Sequence, residues 1–198
     1  MKNRKTSLDD LLGGSYGAPA GEVLRLLVDL GVQFAGADEG SILLADRNGK
    51  ELVFVLTTGN RESERALAGQ RVPIGKGLTG LAAKTREVQI GSPTYKDIRQ
   101  ARLRRGKGGA PQAVLAAPIL VGDELLGVMT AVSFDSKKRF GSKDELLYGR
   151  IASVAAIVIH QARLLGGGAS ASREPEVGRA VERLLRAGRR QPRGHRVV

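Results

Sequence analysis

The sequence predicts an α+β domain built on a mainly antiparallel sheet. Three observations lead there. Residues 41–45 and 52–56 are β-type runs joined by the turn Asp46-Arg47-Asn48-Gly49. Residues 113–121 and 125–132 are a second such pair, turned by Gly122-Asp123. Helical patterns over 20–35 and 142–165 bracket them. Two hairpins between helices favour antiparallel pairing over the strand–helix alternation of a parallel sheet.

Taken in order, residues 1–20 form a flexible lead-in, since Gly13-Gly14 and Gly17 oppose regular structure. In the first helix Val23, Leu26, Leu27, Leu30 and Phe34 make one apolar stripe. The first hairpin follows, and then a polar connection from 59 to 71. Residues 78–84 suit a short helix and 88–90 a short strand. Residues 92–112 are an irregular loop interrupted by glycines. Pro118 inside the run 113–121 implies a sheet edge or a bulge. Ser142 with Glu145 three residues later is a capping box that opens the last helix. Gly166-Gly167-Gly168 is expected to end it near Leu165. The remainder, 166–198, is rich in Gly, Ser, Pro and Arg and is expected to be a basic, largely disordered tail. The domain itself is therefore placed at 21–165.

Composition narrows the chemistry. The 198 residues are 41% hydrophobic and 26% charged, within the range of globular proteins. There is no cysteine, so thiol nucleophiles, disulfides and thiolate metal sites are excluded. No secretory signal is evident, and no apolar run approaches the roughly 20 residues of a spanning helix. A soluble, cytoplasmic protein without membrane contact is expected. The net charge of +12 is concentrated in two places. Residues 95–108 net +5, and so do residues 166–198. The loop cations Arg99, Arg102, Arg104, Arg105 and Lys107 form a candidate contact for an anion or a partner. With the arginine-rich tail, they also allow a nucleic-acid or polyanion reading. No aromatic residues interleave them, which tells against stacking on single strands.

Residues 75–80, Gly-Lys-Gly-Leu-Thr-Gly, match the G-x-G-x-x-G pattern of dinucleotide sites. That pattern needs a buried strand before it and a parallel β-α-β unit around it. Gln70, Arg71 and Pro73 make a poor core strand, and the flanking elements are hairpins. The structural alternative is that Gly75 and Gly77 adopt unusual backbone angles while Gly80 permits close packing. Free N–H groups at the helix start leave anion binding open. His160 and His195 are isolated and assemble no metal site or catalytic triad. No nucleophile or acid–base pair stands out, and an enzyme is not expected.

Three stretches, VPIGKGLTGLAAKTREVQIGSPTYKD, AVLAAPILVGDELLGVMTAVS with Pro118 and Gly127, and RFGSKDELLYGRIASVAAIVI, stand in this order along the chain. Together they resemble the GAF domain family of small-molecule sensing modules. The resemblance covers about 21–165. It implies a sheet of about five to six strands with both terminal helices on one face, and the short helix and long loop on the other. A ligand pocket is implied beneath that short helix and loop, with Thr79, Tyr95, Asp97, Ile98 and Ala116 as lining candidates. No cofactor is expected. A cyclic nucleotide or another small ligand is the candidate occupant. Cyclic-nucleotide-binding members carry an Asn-Lys pair matched to a later Phe, Asp and Glu. Phe140, Asp144 and Glu145 are present, but Ser133-Phe134 stand where the pair would be, so Asp144 lacks that lysine. Relatives that reduce free methionine sulfoxide use thiols, which this chain lacks. The last helix is apolar around more than half its circumference, which calls for cover beyond the sheet. The resemblance favours a homodimer through the terminal helices and a separate signalling protein as partner.

Overall fold

The computed structural model of the chain describes residues 17–59, 61–93 and 111–171, with side chains placed for 19–59, 61–93 and 111–165. The elements run α1 (Gly17–Ala35), β1 (Glu39–Ala45), β2 (Glu51–Thr58), α2 (Arg61–Leu67), β3 (Arg71–Pro73), α3 (Gly77–Thr85), β4 (Gln89–Gly91), β5 (Ala113–Val121), β6 (Glu124–Ser133) and α4 (Ser142–Ala171). The strands form one antiparallel sheet in the order β3-β2-β1-β6-β5-β4. Both expected hairpins are present, and β1 pairs with β6 to join them. The chain divides into a unit through Gly166 and a second from Gly167, of which only helical backbone to Ala171 is described.

Two apolar layers flank the sheet. The larger packs α1 and α4 on one face through Leu24, Val28, Ile42, Leu115, Met129 and Ile159. The smaller packs α2 and α3 on the other through Leu67, Ala82 and Ala83 against Leu43, Ala116 and Val128. Pro118 lies where β5 has lost its outer neighbour, because β4 covers only Val114 to Ala116. A bulge follows between Ile119 and Leu120. The proline thus removes an N–H on a stretch of β5 that no described strand borders on its outer side.

Four expectations need correction. The stripe on α1 is not the buried one: Val23, Leu26 and Phe34 are 45%, 57% and 64% exposed. The sheet instead takes Ala20, Leu24, Val28, Gly31 and Ala35, whose small members let the helix come close. The connection from 59 to 71 holds α2 and β3. With only Ser63 and Leu67 buried, α2 is too short to show a period. The cap of α4 is Gly141, not Ser142. The Gly141 carbonyl accepts the Glu145 N–H at 3.0 Å, and the Asp144 carboxylate accepts the Gly141 N–H at 2.8 Å. The carboxylate half of the box survives, moved one residue towards the N-terminus. Finally, α4 continues through the three glycines to Ala171. An established helix adds one hydrogen bond per residue fixed, so propagation outlasts residues that would not nucleate it.

Candidate functional site

The glycine-rich turn folds upon itself. Gly75 and Gly77 have φ of 85° and 61°, angles that side chains strongly disfavour. The Gly75 N–H donates to the Gly80 carbonyl at 2.7 Å, and the Lys76 N–H to the Pro73 carbonyl at 3.1 Å. A Cβ on Gly80 would lie 2.4 Å from the Pro73 carbonyl oxygen. The strand before the turn is three residues long, half-exposed and antiparallel to β2. The pattern therefore serves a tight strand-to-helix turn, and the β-α-β unit of a dinucleotide fold is absent among the described residues. At its far end α3 stops at Arg86, a left-handed residue with φ of 61°. Its guanidinium donates to the Asp123 carbonyl in the β5–β6 turn.

Beneath α3 the sheet presents a line of hydroxyl groups. Register places Thr57 opposite Ser41, Ser41 opposite Thr130, Thr130 opposite Ala116, and Ala116 opposite Gln89. Residues paired directly across strands share a face. Ala116 packs with Ala82 and Ala83 of α3, so the whole line faces that helix. Ser41, Thr57 and Thr130 are all buried, and the Ser41 and Thr57 hydroxyls are 3.2 Å apart. Leu43, Phe54 and Val128 make the apolar ground beside them. At one end the buried Glu39 carboxylate accepts the Ser63 hydroxyl of α2 at 2.7 Å. Such a floor can hold a compact molecule by apolar contact and orient it with a few hydrogen bonds.

Of the residues expected to line a pocket, Ala116 is fully buried in this floor and Thr79 is half-buried on the first turn of α3. Tyr95, Asp97 and Ile98 lie outside the described residues, as do Arg99, Arg102, Arg104, Arg105, Lys107 and the tail from 172. The polyanion alternative draws on those segments, and no described residue supports it. Among the described residues no cluster of His, Asp or Glu could hold a metal ion. Lys138 does not supply the missing partner of Asp144: its ammonium donates to the Ala35 carbonyl at 2.5 Å. Sequence reasoning missed Ser41, Thr57, Thr130, Glu39 and Ser63, because their shared face appears only once strand register is known.

On the opposite face, Tyr148 of α4 donates its hydroxyl to the Thr130 carbonyl at 2.7 Å. Complete burial pushes this phenol above its ordinary range, which keeps it a neutral donor.

This architecture agrees with a family comparison. The model of the GAF domain matches residues 18–160. The chain belongs to the GAF domain family. Solved GAF domains share its fold. That of a phosphoenolpyruvate-protein phosphotransferase (ptsP) from Coxiella burnetii is 24% identical, with a TM-score of 0.63 over 75% of this chain and 86% of that one. The GAF-B domain of DevS from Mycobacterium smegmatis is 20% identical, with a TM-score of 0.57 over 72% and 94%. A free methionine-R-sulfoxide reductase from Neisseria meningitidis, in complex with its substrate, is 18% identical, with a TM-score of 0.55 over 74% and 81%. No curated protein matches the chain. GAF domains are sensory and regulatory modules of signalling proteins, and this one has their α+β build. No helix among its described residues is long and apolar enough to cross a membrane.

Proposed function

We propose that this GAF domain is a cytoplasmic regulatory sensor that dimerises through its terminal helices and binds a small ligand or a partner protein on its α3 face. One observation carries the reading. Both terminal helices keep large apolar side chains in solvent: Val23, Leu26 and Phe34 on α1, and Val154, Ile157 and Leu164 on α4. Successive members stand three and eight residues apart on α1 and three and seven apart on α4, the pattern of a helix seam. An exposed apolar stripe on two neighbouring helices is the signature of an association surface. A second copy covers it with the same residues twice.

The hydroxyl line beneath α3 supports the binding half of the proposal. It combines buried polar groups with apolar ground, and the sheet holds it rigidly. The regulatory reading also agrees with the absence of cysteine, since this chain cannot supply a thiol for reductive chemistry. Output then passes to a separate signalling protein.

Native mass spectrometry of the freshly purified chain tests both halves. A dimer carrying a retained small molecule is the expected species. Thermal-shift screening with cyclic nucleotides follows, because ligand binding to the folded state raises Tm by mass action. A monomer at tens of micromolar removes the dimer. Absence of any retained molecule, together with flat thermal shifts, moves the α3 face to a protein partner.

A further inference from the structure

Tyr148 stands where three elements meet. It lies on the second turn of α4 and is 1% exposed. Its hydroxyl is bonded to the Thr130 carbonyl, while the Thr130 side chain belongs to the line beneath α3 on the other side of the sheet. Its ring packs against Gly31 of α1. A Cβ there would lie 2.7 Å from Tyr148 Cε2 and 3.2 Å from Met129 Cε. Glycine alone lets α1 settle so near the ring, so one side chain touches a residue of the sensing face and both terminal helices.

A second attachment lies at the end of β6. Asp38, three residues beyond α1, accepts the Ser133 hydroxyl and the Phe134 N–H, each at 2.7 Å. Lys138, in the connection from β6 to α4, reaches the Ala35 carbonyl and lies 5.2 Å from the Phe140 ring centroid. Ala35 ends α1. The Gly36 and Ala37 N–H groups bond back to Gln33 and Val32 in a Schellman turn. That turn leaves the Ala35 carbonyl for the lysine. An ammonium at a helix C-terminus also complements the helix dipole.

We propose that β6 carries a change at the α3 face to both terminal helices, with Tyr148 as the positioning residue at its middle and the Asp38–Lys138 clamp at its end. This rests on the sensor reading above. A closely packed interior shifts between discrete arrangements rather than deforming smoothly, so a displaced Thr130 moves what is bonded and packed to its carbonyl.

Hydrogen–deuterium exchange on the full chain tests the linkage, comparing wild type with Tyr148→Phe, Lys138→Met and Gly31→Ala. Tyr148→Phe deletes one hydrogen bond, between α4 and β6, and keeps the ring. Exchange in α1 around 24–35 should rise about three-fold or more, although α1 owns neither partner of the lost bond. Peptides of β2 should change by less than about two-fold. Lys138→Met should loosen the end of α1 and the start of α4 together. Unchanged α1 exchange in Tyr148→Phe overturns the proposal, and so does a uniform rise across sheet and helices, which reports lost stability alone. If Tyr148→Phe does not fold, Gly31→Ala presses the same ring from the other side. Altered exchange around Thr130 then supports the linkage, and an unaltered β6 sinks it. Sedimentation of the wild type keeps the two readings separate: a monomer fails the dimer while the exchange result still decides the linkage.

Discussion

Replacing Gly80 with alanine sets two physical effects against each other. The residue sits inside α3, where alanine is worth about 1 kcal/mol more than glycine in helix propensity. Its new Cβ, however, would lie 2.4 Å from the Pro73 carbonyl oxygen and 3.0 Å from the Gly75 nitrogen. Real Cβ contacts essentially never fall below 3.0 Å, so the turn must open. Both obstacles are backbone, and the turn is closed by the Gly75 N–H on the Gly80 carbonyl, so no flexible side chain can yield. Overpacking of this kind costs about 1–3 kcal/mol. The net expectation is a destabilisation of up to about 2 kcal/mol, or a Tm lower by as much as about 8 °C for a domain of this size. Calorimetry at one fixed protein concentration measures it, since the proposed dimer would make Tm concentration-dependent. A Tm that rises by a few degrees would show that propensity decides and that close approach is not why glycine is there.

Three further outcomes are expected of the same fold. Ile157→Asp places a charge in the exposed stripe of α4, 61% accessible in the single chain. The monomer should keep its stability within about 0.5 kcal/mol. The dissociation constant of the proposed dimer should rise about a hundred-fold or more, because each buried aliphatic contributes about 1.5–3 kcal/mol and the mutation acts twice. Sedimentation equilibrium reads this, and an unchanged constant places the interface elsewhere. Burial at the β1–β2 turn acts to raise the Asp46 pKa, but N–H groups of Glu51, Lys50 and Gly49 and the Arg71 cation outweigh it and hold it below its ordinary value. A depressed carboxylate stabilises the fold above its unfolded pKa and loses that contribution as pH falls through its folded value. Asp46→Asn should therefore destabilise at pH 7 and converge on wild type as pH falls through the depressed folded value; denaturant titrations across a falling pH series would expose an opposite trend. Arg25 and Glu64 are 2.8 Å apart but 48% and 45% exposed, so Arg25→Gln should shift stability by no more than about 0.5 kcal/mol, as urea melts can verify.

Local chemistry made much of this fold legible. Asn48-Gly49 and Gly122-Asp123 fixed both hairpins, and Gly49 and Gly122 do take positive φ. The purpose of Gly75, Gly77 and Gly80 followed from their surroundings. What failed was anything requiring a third dimension. On α1 the outward stripe is bulkier than the inward one, because alanines and Gly31 carry the close contact, so hydrophobicity alone chose the wrong side. The line Thr57, Ser41 and Thr130 depends on β1 meeting β6, a strand more than 80 residues later, and no local period encodes that register. In α2, one buried leucine and one buried serine gave too little pattern to distinguish a helix from a loop.

The sheet ends in a way that bears on aggregation. Its two border strands, β3 and β4, are three residues each. Where β5 runs past β4 no other described strand borders it, and there it carries a proline and then a bulge. A foreign strand arriving at either border finds little backbone to template on. In the proposed dimer, contact between identical surfaces on the helical side closes after two copies, unlike the open-ended stacking of sheet edges. The short border strands thus limit edge-to-edge pairing, and a valine in place of Pro118 would remove part of that limit.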